Sequence, residues 1–578
     1  MLFYKQSKLP PVLSIYSFQL LFIRFLFCFI EISETIEIAW CYKYLHRYLF
    51  MLKPVGCCWI PKLVSILLWS ASLFFSACTI KRPVVPSEVP GHTMGSVPGQ
   101  GQAKSLKIVK LKESLISTVF QGALQLKKED KATADWLGRY YKDHDYELIL
   151  LDRYFSGNQL KVLVTRLDSA IHHGLNPKVF YTTEIQNLWQ KMQDAKPENA
   201  MNAYRDKVRM EVLLAASLIK YSRAMQYGMV KPDSLYANYF VATTAPDSSM
   251  AIKIFAIRDL TTYLDSIQPK SPQYRALQKA LQMRVDTKIM SKAEADLVIK
   301  INLERLRWKN KPVAKKYVSV NIPDFTLEVI DQGKAILQMK VCVGEGRNKD
   351  YKNLLSNDPD TGLVKDQPIA RETPQLNSII HSVQVNPIWN IPASIARGEI
   401  SKYVASDPDY LSDNDIDVYK DGKLISAETI DWEEVDHYSF KQRPGGQNSL
   451  GKIKFLFNNN SSVYLHDTPV KSAFKKTNRA ISHGCVRVEK PLELALALFG
   501  KGKTFDQIKR AMENAYPRAK NISLPVKIPV YLNYLTAWSD AKGNLQLRKD
   551  IYGLDMVLYS YMKNHQLIHL EELSSANN

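Results

Sequence analysis

The chain has 578 residues, a formal net charge of +20, 46% hydrophobic residues and seven cysteines. Five of these (Cys28, Cys41, Cys57, Cys58, Cys78) precede residue 79, and only Cys342 and Cys485 follow; that excludes a disulfide framework, and neither later cysteine belongs to the CxxC pair of a zinc ribbon. Residues 1–82 carry +6 of the charge, leaving +14 on the remainder, a balance that suits an anionic polymer such as cell wall or nucleic acid; no zinc-finger or ribonucleoprotein motif supports nucleic acid.

In chain order, residues 1–50 read as an extension or a mis-called start, with an apolar run from Val12 to Ile30 broken by Arg24. From Met51 the chain has Lys53 and Lys62, an apolar stretch from Leu63 to Phe75 and small residues before Cys78. This is the layout of a signal peptide over 51–77, too short for a membrane span of about twenty residues. "FFSAC", ending at Cys78, resembles a lipobox, which implies acylation of Cys78. Residues 78–104 then form a Pro, Gly and Ser-rich tether.

Residues 105–310 carry helical periodicity. In "VRMEVLLAASLIKYSRAMQYG" (Val208 to Gly228) the residues Val212, Leu213, Ala216, Ile219 and Ala224 share one side before a glycine stop, and "AEADLVIKINLERLRW" predicts another helix. From Tyr317 the period becomes two: Phe325, Leu327 and Val329 alternate with Thr326 and Glu328 ahead of a Gln332-Gly333 turn, predicting a strand hairpin. "IPVYLNYLTAWSDAKGNLQLR" repeats that pattern near the C-terminus, and Gly500 to Ala515 reads as a short helix. The expected fold class is α+β: a helical region over 105–310, then a mainly β domain over 311–560, with a tail over 561–578.

"DNDIDVYKDGKL" (Asp413 to Leu424) begins like a calcium loop, but Val418 stands where the turn glycine belongs and Leu424 where the bidentate Glu belongs. It reads as a solvated part of a connection. Cys342 alternates within a strand and reads as packing.

The chemistry concentrates in "VYLHDTPVKSAFKKTNRAISHGCVRV", where His466 is separated by fifteen residues from Ser482, His483, Gly484 and Cys485. A lone cysteine there is a buried filler, a metal ligand or a nucleophile. A thiol of pKa near 8.5 needs a base or a cation to react at neutral pH, and His466 is the candidate base. Gly484 permits close backbone approach, so that amides near Cys485 face an oxyanion. His466, His483 and Cys485 lack an evident fourth zinc ligand.

A histidine, a gap of about fifteen residues and Ser/Thr-His-Gly-Cys together resemble the catalytic domain of the L,D-transpeptidase family, of the YkuD type. "VCVGEG", "RETPQL", "VNPIWNIP", "PGGQNSLGKIKF" and "TAWSDAKGNLQLRKDIYG" fall in family order over about 317–555, and "HHGLNPKVF" and "YSRAMQYG" look like the N-terminal scaffold of its long, periplasmic branch. Arg487 follows Val486, where short members often have Asn, and no peptidoglycan-binding module is apparent between Leu281 and Glu304.

The resemblance implies a helical scaffold region followed by a mainly β catalytic domain with an inserted lid loop at about 393–441. It implies that Cys485 attacks a tetrapeptide stem to form a thioester, that His466 moves the proton, and that diamino-acid amines accept the acyl group in 3-3 cross-links. It makes Ser482, His483, Gly484, Arg487, Asn386, Trp389, Asn390 and Asp467 oxyanion or substrate-binding residues, with Asp467 or a backbone carbonyl fixing the His466 tautomer. It implies no cofactor, no metal and no nucleic acid. The expected protein is a monomeric periplasmic lipoprotein, anchored through Cys78 at the outer membrane. L,D-endopeptidase or carboxypeptidase action, D-amino-acid exchange, or non-catalytic wall binding are the alternatives; the intact His466, Gly484 and Cys485 speak against the last.

Overall fold

The computed structural model describes residues 113–570 except 156, 195–198, 248, 286, 288, 309–313, 348–353, 358–363 and 515. The signal-peptide segment, Cys78 and the tether lie outside the described residues.

Helix α1, Ala200–Tyr227, is the axis of the N-terminal half. Asn199 accepts a hydrogen bond from the Met201 amide at its start, and Gly228 ends it at φ 84°. Val212, Leu213, Ala216, Ile219 and Ala224 are all buried, as their spacing predicts. The helices Glu113–Ala123, Lys131–Asp143, Ile149–Tyr154 and Thr182–Asp194 pack around it. Helix α2, Lys292–Arg307, opens with a capping box between Ser291 and Glu294.

The C-terminal half is built on β1 (Lys316–Asn321), β2 (Thr326–Asp331), β3 (Lys334–Gly344), β4 (Gln375–Val385), β5 (Ile453–Phe457), β6 (Leu465–His466), β7 (Val486–Val488) and β8 (Lys520–Asn533). They pair in the order β4-β5-β6-β7-β3-β2-β1-β8, and β8 pairs back onto β4, closing the ring. Closure removes the unpaired edges that an open sheet leaves. Period-two burial fills the inside: Ile453, Phe455, Leu465, Val486, Val488, Val341 and Val343 join one core. The intervening positions face the other way, and there the site is built.

Several expectations change. The region foreseen as a lid loop at 393–441 is a folded insert that starts earlier. It has helices at Ala393–Ile395 and Ser401–Ser406 joined by a π turn at Ala396–Ile400, and a four-stranded sheet whose outer members are Trp389–Ile391 and Lys423–Ile425. Ile391, Ile395, Ala396, Ile400, Val418 and Phe440 give it its own core. The calcium-like stretch is a hairpin of this sheet, Ile416–Lys420 and Lys423–Ile425, turning at Asp421-Gly422.

The boundary at 310/311 is also crossed twice. Tyr239–Phe240 pairs in parallel with the start of β4, and the stretch read as a tail begins inside helix α3, Leu554–Asn564. Beyond α3 the chain bridges back at Ile568 to Leu175. A buried polar seam joins the halves: Arg305 of α2 pairs with Asp555 of α3, and Asn302 donates to Thr536 at 2.7 Å.

Candidate active site

A strand at Ala480–Ser482 pairs with the end of β3, and β7 pairs with β3 from the other direction, so residues 483–485 form a tight reversal at the end of β3. Gly484 holds φ at 105°, a conformation that side chains rarely adopt. Ser482 closes the turn: its hydroxyl donates to the Cys485 carbonyl at 2.6 Å and accepts from the Gly484 amide at 3.2 Å. Ser482 is therefore a buried structural residue rather than a substrate contact. The Gly484 amide is bonded within the turn; among the described residues the Cys485 amide has no acceptor.

The Gly484 carbonyl accepts from the Thr373 hydroxyl at 2.7 Å, and that hydroxyl accepts from the Gly344 amide at 2.8 Å. Gly344 permits this approach, since a Cβ there would stand 1.9 Å from the Arg371 carbonyl oxygen. Tyr552 completes the frame, donating to the Gly344 carbonyl at 2.9 Å and accepting from the Thr373 amide at 3.2 Å.

Cys485 is half-buried. Burial pushes its thiol pKa up, while the backbone and hydroxyl of Tyr464 and the nearby Arg487 and Lys454 oppose that rise. Tyr464 precedes β6 and hands its carbonyl to the Val486 amide at 3.1 Å, which sets it beside Cys485. His466 lies two residues further along the same face, opposite Arg487 on β7 and Lys454 on β5.

His466 is 5% exposed. Its Nδ1 bonds the Asp467 backbone carbonyl at 2.5 Å, which leaves Nε2 as the basic nitrogen. Burial first, then the Arg487 charge, pull its pKa down to about 3, against the opposing effect of the Asp467 and Leu450 backbones. His466 is thus a neutral imidazole at physiological pH. Tyr464 is the group beside Sγ in this resting geometry; general-base contacts commonly tighten only when substrate arrives.

Other expected site residues are engaged elsewhere. The Asp467 carboxylate takes the Lys452 amide at 2.9 Å, the Thr468 amide at 2.7 Å and the Lys471 ammonium; only its backbone orients His466. Asn386 is buried and donates to the Ala511 carbonyl at 2.8 Å. Trp389 packs on the insert's core, and Asn390 is exposed on the insert's sheet. His483 bonds Glu399 of the insert at 2.6 Å, and Glu399 also binds Arg371 at 2.7 Å. Among the described residues no three His, Cys, Asp or Glu side chains gather where a metal would be held.

Tyr464, Lys454, Thr373, Tyr552 and Glu399 were missed by sequence reasoning. Alternation in "VYLHD" puts Tyr464 and His466 on one face and was the one available signal.

Comparison with known proteins gives the class first. Residues 315–499 match the L,D-transpeptidase catalytic domain and residues 135–281 match the Scaffold domain. The chain thus carries a YkuD-type L,D-transpeptidase catalytic domain preceded by a Scaffold domain. A Haemophilus influenzae protein named "Putative L,D-transpeptidase" is 29% identical over 301 residues, 51% of this chain. The match spans only 55% of that relative's length.

Two solved structures are also similar. An L,D-transpeptidase from Mycobacterium smegmatis is 11% identical over 38% of this chain and 59% of its own, with a TM-score of 0.17. The Ldtfm-avibactam carbamoyl enzyme is 10% identical over 42% and 64%, with a TM-score of 0.16. Likeness at this level carries no argument about the site.

Proposed function

We propose that the protein forms 3-3 cross-links between peptidoglycan stem peptides through a thioester on Cys485. The observation that carries this reading is a half-buried thiol in a tight turn at Gly484, with His466, held through Nδ1 by the Asp467 carbonyl, on the neighbouring strand. Cys485 attacks the carbonyl of the third stem residue, His466 takes the thiol proton and passes it to the departing amine, and His466 then deprotonates the acceptor amine. The free Cys485 amide is the donor for the oxyanion.

Mass spectrometry with a purified tetrapeptide disaccharide tests this. The wild type is expected to gain the acyl mass and release a cross-linked dimer; Cys485→Ala gains none, and His466→Ala acylates about a hundredfold more slowly, the usual worth of a positioned base. Acyl mass on Cys485→Ala overturns the reading, and release of free tripeptide in place of dimer selects hydrolysis.

The protein acts, in this reading, from the outer membrane of the periplasm, held by a lipid on Cys78; the support is the charged, apolar and small-residue order of Met51 to Cys78. Mature protein unlabelled by a palmitate analogue, or still labelled in Cys78→Ala, rules out the anchor.

A further inference from the structure

We propose that Lys454 and Arg487 form a carboxylate subsite that reads the α-carboxylate of the amino acid expelled from the donor stem. The inference rests on the transpeptidase reading and extends it to what sets donor choice.

Three directly paired positions make the subsite. Lys454 on β5 is opposite His466 on β6, and His466 is opposite Arg487 on β7. Paired residues in neighbouring strands project to the same face, so His466 stands between two cations. The flanking residues Ile453, Phe455, Leu465, Val486 and Val488 point into the core, which fixes this row on the opposite side.

Neither cation has a carboxylate partner among the described residues. Lys454 is half-buried over the Tyr464 ring, 5.3 Å from its centroid, and burial lowers its pKa. Elsewhere withdrawn cations are matched by anions, Arg305 with Asp555, Arg307 with Glu304 and Lys220 with Asp130, or, as with the half-buried Arg153, Arg209 and Arg479, by backbone carbonyls. Withdrawing unmatched charge from water is costly. Two such cations flanking His466 beside the thiol point to an anion supplied from outside.

The chemistry says which anion. In acylation the bond from Sγ to the carbonyl carbon forms, the C–N bond to the last stem residue breaks, and the thiol proton travels through His466 to the departing nitrogen. That nitrogen therefore lies within hydrogen-bond reach of His466. In a single α-amino acid the carboxylate is attached one carbon away, its oxygens roughly 3 Å from the nitrogen by standard bond lengths. A carboxylate there falls beside the cations flanking His466, where Arg supplies a planar fork and Lys a point charge. A donor whose next residue continues as a peptide bond presents a neutral carbonyl instead and leaves both cations unmatched.

The test compares a stem tetrapeptide with the same peptide ending in a carboxamide, reading kcat/KM for acylation of Cys485. The wild type is expected to favour the acid by tenfold or more, in keeping with loss of one charged hydrogen bond. In Lys454→Met that preference shrinks at least severalfold, Lys454→Arg restores it, and Lys454→Met with Arg487→Met abolishes it.

The rival role for these cations is to stabilise the Cys485 thiolate. If Lys454→Met leaves the acid-to-amide ratio unchanged while moving the pH profile of iodoacetamide alkylation to higher pH, the subsite is overturned. It is equally overturned if the wild type acylates from both donors alike. If the wild type acylates from neither donor while its thiol still alkylates, the transpeptidase reading falls and takes the subsite with it.

Discussion

Thr373 decides where the Cys485 amide points. In a trans peptide the carbonyl and the following N–H project oppositely, so tying the Gly484 carbonyl to the Thr373 hydroxyl at 2.7 Å turns the Cys485 N–H away from Thr373, where no acceptor among the described residues meets it. Thr373→Val keeps the shape and removes the tie. Its expected effect is a fall of about tenfold or more in the acylation rate with KM little changed, since a donor aimed at the developing oxyanion acts on the transition state. Thr373→Ser should recover most of the loss. Wild-type acylation by a folded Thr373→Val would show that the hydroxyl merely fills space.

At the scale of elements, the insert over 389–442 is latched to the cysteine turn through one residue. Glu399, on the π turn Ala396–Ile400, holds both His483 and Arg371. Burial alone would raise the Glu399 carboxyl, but the bond and charge of His483 and the Arg371 charge hold it below the ordinary carboxylate range. A carboxyl depressed by folding stabilises above its unfolded pKa and loses that contribution as pH falls through the folded one, so the latch opens in acid and is intact at neutral pH. The pair is about 30% exposed on each side, which limits its worth to about 1 kcal/mol or less after solvent screening. Glu399→Gln is thus expected to leave the melting temperature nearly unchanged while turnover drops severalfold, as for a lid that completes a site. Equal turnover in the folded variant would remove the insert from the cycle.

The element scale also separates what was readable from what was not. Helices α1 and α2 and the β2–β3 hairpin follow from spacing, caps and a Gln332-Gly333 turn, all local features. The insert was read as a loop because its strands are short, its helical piece is interrupted by a π turn, and its core residues come from six separated stretches. No window of sequence holds enough of that pattern to reveal it.

In the whole molecule, scaffold and barrel share one apolar core and one buried polar seam. Arg305 is paired with Asp555; Asp555 accepts from Thr536 at 2.7 Å, and its amide donates to Asp550 at 2.9 Å. Asp550 accepts from Tyr534 at 2.6 Å, whose oxygen receives the Tyr552 amide at 2.9 Å. The frame around Gly484 is thereby continuous with helix α2. Arg305→Met strands a buried carboxylate, a loss of about 3–5 kcal/mol by analogy with other broken buried pairs. Calorimetry should show one cooperative transition moved down for both halves, with partial recovery on adding Asp555→Leu. Two separate transitions, or a loss below about 1 kcal/mol, would mean that the seam does not couple them.

The class of fold and the candidate pair of His466 and Cys485 are legible in the sequence alone. Period-two and helical spacing are written within a few residues of each other, and His466, Gly484 and Cys485 are marked by residue type at a fixed gap. Which groups surround them is a matter of tertiary packing. Lys454, His466 and Arg487 become one row because β5, β6 and β7 adopt one register, and register depends on packing between strands that no single strand specifies. The same packing gave Ser482, Asp467 and Asn386 structural partners, so that residues plausible as substrate contacts by position are consumed within the protein. Closure of β8 onto β4 joins residues more than a hundred positions apart, and that distance is where local pattern stops carrying information.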